Sequence, residues 1–199
     1  MKRIIYHGSD HIIEKPTYGF GNFHNDYGIG FYTTDFMSLA GEWAVNSFRN
    51  GFINMYELDL NDLKILDLSK EPYSILNWIA LLMFNRESNI KYGSDKEIVK
   101  FLIDKYLINV KDFDVVIGYR ADDSYYTVAR DFVSRRISLN QLEKALKLGK
   151  LGKQIVLVSQ KSFEHIKFIK SFEATRDEYL LSKMNKEISY VLNNLKTLK

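Results

Sequence analysis

Three short stretches of the chain carry side chains suited to handling a ligand: His7-Gly8-Ser9, the run Gly28-Ile29-Gly30-Phe31-Tyr32, and Trp43. A histidine at the end of a strand offers a ring donor and a ring acceptor close to neutral pH, and neighbouring glycines let a bound group come near the backbone. Tyrosine and tryptophan join a flat apolar face to a polar tip. Each stretch also has a purely architectural reading. His7 can be a strand-end histidine satisfied by the fold, Gly28 and Gly30 can serve a turn, and Tyr32 and Trp43 can be core aromatics.

Composition narrows the chemistry further. The chain has no cysteine, which removes disulfides, thiolate zinc sites, Fe–S clusters and cysteine nucleophiles. Thirteen tyrosines and thirteen phenylalanines lean towards a ligand-handling surface. The net charge of +3 comes from dispersed Lys and Arg, which permits a nucleic-acid partner without arguing for one. No stretch reaches the length of a membrane span, and the apolar start at Met1–Ile5 is too short for a signal peptide, so the chain reads as cytoplasmic with no membrane partner. At 199 residues, one domain over the whole chain is expected, with a single core or a core plus an added subdomain.

The elements that must position these residues follow from periodicity and punctuation. A strand is expected over Arg3–His7, breaking at the turn pair Gly8-Ser9, and a long loop from Asp10 to Gly28. Ile29–Thr34 reads as a strand. Asp35 is placed to cap a helix to about Phe48, with Phe36, Leu39, Ala40, Trp43, Ala44 and Phe48 on one face. Ile53–Leu60 and Leu63–Leu68 suggest a hairpin. Ile75–Phe84 and Ser94–Tyr106 read as two helices of an insertion at about 71–107. Phe113–Tyr119 is a buried-strand run, leading through a loop into a helix ending near Arg136. Ser138 and Gln141 form a capping box for a helix over Leu139–Leu148. Strands over Gln154–Ser159 and Ile166–Phe172 follow, then a helix over about 177–198 with an apolar stripe from Leu180 to Leu195. Strands and helices interleave without a regular βαβ rhythm, so the fold class is α+β.

Taken jointly, the three stretches resemble the ADP-ribosyltransferase superfamily, in its His-Tyr-Glu class of diphtheria-type toxins and poly(ADP-ribose) polymerases. That class carries His-Gly on the first strand, a Gly-x-Gly-aromatic-Tyr strand, and a second ring eleven residues after the tyrosine; here Tyr32 and Trp43 stand eleven apart. Gln154-Ile155-Val156-Leu157 sits where the class begins a late strand with its acidic residue. In more detail, Tyr6-His7-Gly8-Ser9, Asp26 through Tyr32, Trp43-Ala44, Asn85-Arg86, Ala121-Asp122-Asp123 and Lys153-Gln154 are similar to the bacterial domain-of-unknown-function 3990 family within that superfamily. Its members are often described as toxins of toxin–antitoxin pairs. The resemblance spans about residues 4–170.

What the resemblance implies is specific. The fold would be two small β-sheets split around a cleft for NAD, which serves as substrate. His7 would hydrogen-bond the adenosine ribose, and the Gly8 backbone, beside Ser9, would pair with the nicotinamide carboxamide. Tyr32 and Trp43 would sandwich the nicotinamide ring, a cationic aromatic suited to stacking and cation–π attraction. Arg86 would offer a planar fork to the NAD pyrophosphate, with a surface salt bridge as its plain alternative. The activity implied is cleavage of the nicotinamide–ribose bond and transfer of ADP-ribose to a macromolecule, protein or nucleic acid. An antitoxin is the implied protein partner.

Two positions depart from the class pattern. Ala40 stands where a serine often touches the carboxamide, and Gln154 replaces the glutamate that offsets the developing positive charge. Asp122 and Asp123 are then the candidates for the missing carboxylate, against an alternative reading as a helix N-cap. Gln154 itself raises two alternatives: a non-catalytic NAD or ADP-ribose binding module, and an NAD glycohydrolase with water as acceptor.

Overall fold

The structure, a computed structural model, describes residues 1–86, 94–121, 123–148, 152–181 and 184. It is α+β, with two small sheets. The first sheet holds β1 (Lys2–Ser9), β3 (Gly51–Asp59) and β7 (Ile166–Ala174) in the order β1-β3-β7, all antiparallel. The second holds β2 (Phe31–Thr33), β6 (Lys153–Leu157), β5 (Val115–Tyr119) and β4 (Ile65–Asp67) in the order β2-β6-β5-β4, with β4 and β5 parallel. A single bridge between Tyr6 and Thr34 joins β1 to the end of β2.

Alternation along the strands sends apolar side chains to three separate cores. Ile5, Phe31, Tyr56, Leu58, Val115, Ile117, Ile155 and Leu157 come from both sheets and hold them together. Val116 and Val156, one step out of phase, face a helical layer of α2 (Ile75–Arg86), α3 (Ser94–Tyr106), α4 (Asp123–Val133) and α5 (Leu139–Leu148). Helix α2 buries Trp78 through Met83 on all sides, so it is the centre of that layer. On the outer face of the first sheet, Ala40 and Ala44 of α1 (Met37–Ala44) meet Ile53 and Ala174.

Several expectations are corrected. No turn breaks the first strand at Gly8-Ser9: β1 continues through both, pairing Gly8 with Ile53 and Ser9 with Phe52. Gly8 is needed because α1 lies directly on it; a Cβ there would sit 1.9 Å from the Ala40 carbonyl oxygen and 2.7 Å from the Ala44 nitrogen. Asp35 does not cap α1. Phe36 occupies the cap position without a side-chain bond, while the Asp35 carboxylate pairs with Arg3 at 2.6 Å. The helix stops at Ala44, where Val45 turns extended, so Phe48 never joins the buried face and is 91% exposed.

The expected hairpin of Ile53–Leu60 with Leu63–Leu68 does not form. The Asp114 carboxylate takes the Lys64 N–H at 2.8 Å and the Asp114 N–H bonds the Lys64 carbonyl at 2.8 Å, steering the chain away from β3 to lie parallel to β5. The capping box of Ser138 and Gln141 is present at the start of α5, with the Ser138 N–H on Gln141 Oε1 at 2.8 Å and the Gln141 N–H on Ser138 Oγ at 3.3 Å. A short helix α6 (Gln160–Glu164), capped by Ser159, lies between β6 and β7 and was not anticipated. Of the terminal helix, 176–181 is helical; the rest of its apolar stripe, apart from Met184, lies outside the described residues. No helix among the described residues is long and apolar enough to cross a membrane.

The contact between α1 and β1 gives a direct test. Gly8→Ala should lower unfolding stability by about 1–3 kcal/mol or more, because backbone atoms rather than a flexible side chain oppose the new methyl. Urea denaturation measures it; an unchanged midpoint would mean that α1 does not sit on Gly8.

Candidate functional site

The site is built where the two sheets part. The Tyr6 N–H bonds the Thr34 carbonyl at 2.7 Å and the Thr34 N–H returns to the Tyr6 carbonyl at 2.9 Å. Beyond this pair the ladder stops, and the His7 side chain takes over: its Nδ1 lies 2.7 Å from the Tyr32 carbonyl oxygen. A carbonyl only accepts, so Nδ1 carries the hydrogen and the neutral ring presents Nε2 as an acceptor. Among the described residues nothing hydrogen-bonds Nε2. The Phe31 ring lies against the imidazole with centroids 4.4 Å apart, and burial pushes the His7 pKa below its usual value, opposed by the Tyr32 carbonyl.

Strand alternation then determines what Gly8 does. Backbone groups of Tyr6 point out of the free edge of β1 towards Thr34, so those of Gly8, two residues on, point out of the same edge after β2 has turned away. Its N–H and C=O have no partner among the described residues. A donor and an acceptor side by side on one residue match a primary carboxamide. Ser9 is not part of that edge; its hydroxyl donates to the His11 carbonyl at 2.6 Å and accepts from Asn54 at 2.8 Å.

Tyr32 and Gln154 share one face of the second sheet. Tyr32 pairs with Val156, and Gln154 lies two residues from Val156 on the same strand, opposite Gly118. The Tyr32 hydroxyl is pinned, donating to the Gly28 carbonyl at 2.7 Å and accepting the Tyr27 N–H at 3.0 Å, so its ring has a fixed orientation. Gly28 has φ +77°, a left-handed conformation that suits glycine and lets the loop turn over the tyrosine. Burial drives the Tyr32 pKa far above its ordinary value, so the hydroxyl stays protonated. Gln154 is buried and its Oε1 has no hydrogen-bond partner among the described residues. An acceptor so placed costs about 1–3 kcal/mol unless a ligand supplies a donor.

Arg86 is not a free fork. Its NH2 lies 2.6 Å from Asp26 Oδ1 and donates to the Ala121 carbonyl at 2.7 Å, and its guanidinium stands 5.2 Å from the Tyr126 ring centroid. Asp26 is almost fully buried and takes the Ala121 N–H on Oδ2 at 2.8 Å, while Asn85 Nδ2 bonds the Asp26 carbonyl at 3.0 Å. Burial pushes the Asp26 carboxyl up, and Arg86 and the Ala121 N–H pull it back. The ion pair therefore fastens the long loop before β2 to α2 and to the end of β5. That corrects the pyrophosphate reading and also the surface alternative, since the pair is interior.

Trp43 projects from α1 with the Arg120 guanidinium 5.7 Å from its ring centroid. Asp122 lies outside the described residues; the Asp123 backbone begins α4, and its side chain lies outside them too. Sequence reasoning assigned no role to Asp26, Asn54 or Arg120. Asn54, fully buried, receives the Ile13 N–H at 2.9 Å and ties the start of the loop to β1 and β3. Its signal was a polar residue inside an otherwise apolar strand. Among the described residues no group of three or more His, Asp or Glu is placed to hold a metal ion.

The sequence model of a family described as a protein of unknown function, DUF3990, matches residues 3–168. The chain belongs to that family. No curated protein and no solved structure matches it. The matched span takes in the whole site, from His7 to Gln154, and the two sheets except the last turns of β7. The features shared across the DUF3990 match and the geometry thus coincide at the parting of the sheets.

Two outcomes follow from the interactions at this site. Arg86→Ala leaves the Asp26 carboxylate buried and unpaired, so it should cost about 3–5 kcal/mol in denaturant unfolding, and adding Asp26→Asn should recover part of it. An Arg86→Ala protein of unchanged stability would return Arg86 to the surface. His7, held neutral by burial, contributes stability that is complete above its unfolded pKa of 6.5 and is lost as pH falls from there towards the lowered folded value. The stability gap between wild type and His7→Asn should therefore narrow from about pH 7.5 to about pH 5. Parallel curves would show that burial does not perturb His7.

Proposed function

We propose that the chain is an NAD-dependent ADP-ribosyltransferase that cleaves the nicotinamide–ribose bond and transfers ADP-ribose to a macromolecular acceptor. The observation that carries this reading is the open edge of β1, where Gly8 directs an N–H and a C=O outwards beside His7. In this reading the nicotinamide carboxamide accepts from the Gly8 N–H and donates to its carbonyl. The pyridinium ring stacks between Tyr32 and Trp43, and His7 Nε2 and Gln154 Oε1 accept ribose hydroxyls. The bond from ribose C1′ to the pyridinium nitrogen then breaks, its electron pair leaving with neutral nicotinamide. The acceptor's oxygen or nitrogen attacks the positively charged sugar and gives up its proton.

A carboxylate facing that sugar would stabilise the developing charge. Gln154 supplies no charge, and Asp26 is neutralised by Arg86, so the role falls to Asp122 or Asp123. The same observation favours a second reading, a module that binds NAD or ADP-ribose without turning it over; hydrolysis of NAD differs only in taking water as acceptor. Growth inhibition by the free protein, with an antitoxin as partner, belongs to the transferase reading through the superfamily resemblance.

Calorimetric titration should show NAD binding with nicotinamide as competitor, and heatless titration at millimolar NAD would sink both readings. Nicotinamide release by wild type, cut about 10²-fold by alanine at Asp122 or Asp123 with NAD affinity nearly unchanged, identifies the transferase. Gln154→Ala should weaken binding and rate together. Release from Gln154→Glu alone, with none from wild type, identifies the module.

A further inference from the structure

Trp43 is already in contact with a cation. The Arg120 guanidinium, one residue past the end of β5, lies 5.7 Å from the centre of the indole, and Trp43 adjoins Ala44, whose nitrogen stands over Gly8. Arg120 is partly buried, and its charge reaches the Asp26 carboxylate across the cleft from Trp43. Arg86, the other guanidinium of this region, is committed to Asp26 and the Ala121 carbonyl. A dinucleotide brings two opposed demands to such a site: its diphosphate needs a planar cationic donor, and its pyridinium needs an aromatic face free of competing charge.

We infer that Arg120 meets both demands by exchange: it rests on Trp43 in the free protein and moves onto the ligand's diphosphate, baring the indole for the nicotinamide ring. This rests on the NAD reading of the site and adds the group that binds the diphosphate and the order in which the halves of the ligand are accepted. A cation–π contact is weaker than a charge-assisted pair with a phosphate oxygen, so the exchange runs towards the diphosphate. Tail and head are coupled as a result. Occupation of the diphosphate position raises the affinity of the ring position, although no ligand atom spans the two when ADP-ribose and nicotinamide are supplied separately.

Calorimetry on the full chain tests the exchange with ADP-ribose, nicotinamide, and nicotinamide in the presence of saturating ADP-ribose. Wild type should bind ADP-ribose, and nicotinamide should bind more tightly once ADP-ribose is in place. Arg120→Ala should lose about tenfold to a hundredfold in ADP-ribose affinity, bind nicotinamide alone at least as tightly as wild type, and show no gain on adding ADP-ribose. Arg120→Lys, which keeps the charge, should recover part of the ADP-ribose affinity, and a thermal melt of each variant confirms that it is folded. Wild type that binds both ligands, with Arg120→Ala unchanged towards ADP-ribose or still coupled, overturns the exchange and leaves the NAD reading standing. Wild type that binds neither ligand overturns both.

Discussion

Everything at the candidate site depends on how one antiparallel pairing ends. β1 and β2 exchange two short hydrogen bonds at Tyr6 and Thr34, and the next carbonyl of β2 is bonded by the His7 imidazole in place of backbone. A side chain is longer than a peptide N–H, so the strands stand apart from this point and belong to different sheets. Two consequences follow at once. The Gly8 backbone groups face an empty edge, and Nδ1 of His7 is committed as donor, leaving Nε2 to accept. The imidazole is thus both the wedge that opens the cleft and one of its polar walls.

The long segment between β1 and β2 has no regular structure, and its order comes from side chains belonging to other elements. Asn54 and Tyr56 of β3 hold its start through Ile13, while Asn85 and Arg86 at the end of α2 hold its finish through Asp26. Tyr27 closes the path by donating to the Tyr119 carbonyl at 2.6 Å, an oxygen it shares with Trp78 Nε1 at 3.1 Å. The helical layer is therefore more than a cover for the second sheet. Its central helix ends in the two residues that set the loop over Tyr32, and the loop in turn locks the Tyr32 hydroxyl.

Charge at the cleft is arranged with economy of free groups. Asp26 and Arg86 cancel one another in the interior, Tyr32 is held protonated by burial, and His7 is held neutral, so the polar walls are dipoles rather than ions. Gln154 fits that pattern, since an amide keeps a hydrogen-bonding position at the base of the cleft without the desolvation cost of a carboxylate. Arg120 stands out as a charge resting on an aromatic face.

Local patterns in the sequence determined much of the architecture: the α+β class, the buried helix over Ile75–Arg86, the amphipathic helix over Ser94–Tyr106, the capping box at Ser138, and β5, β6 and β7 to within a few residues. These depend on periodicity and capping, which act over one or two turns of chain. The residues at the site were also legible as a set, through the order of His7, Tyr32, Trp43 and Gln154. Their relations were not. That Gly8 continues a strand instead of ending it, that Arg86 pairs with Asp26 sixty residues away, and that β4 leaves β3 for β5 are decided by contacts between distant segments. A guanidinium or an amide looks the same in the sequence whether it faces a ligand or a buried partner, and only the packing of sheets and helices determines which of the two it meets.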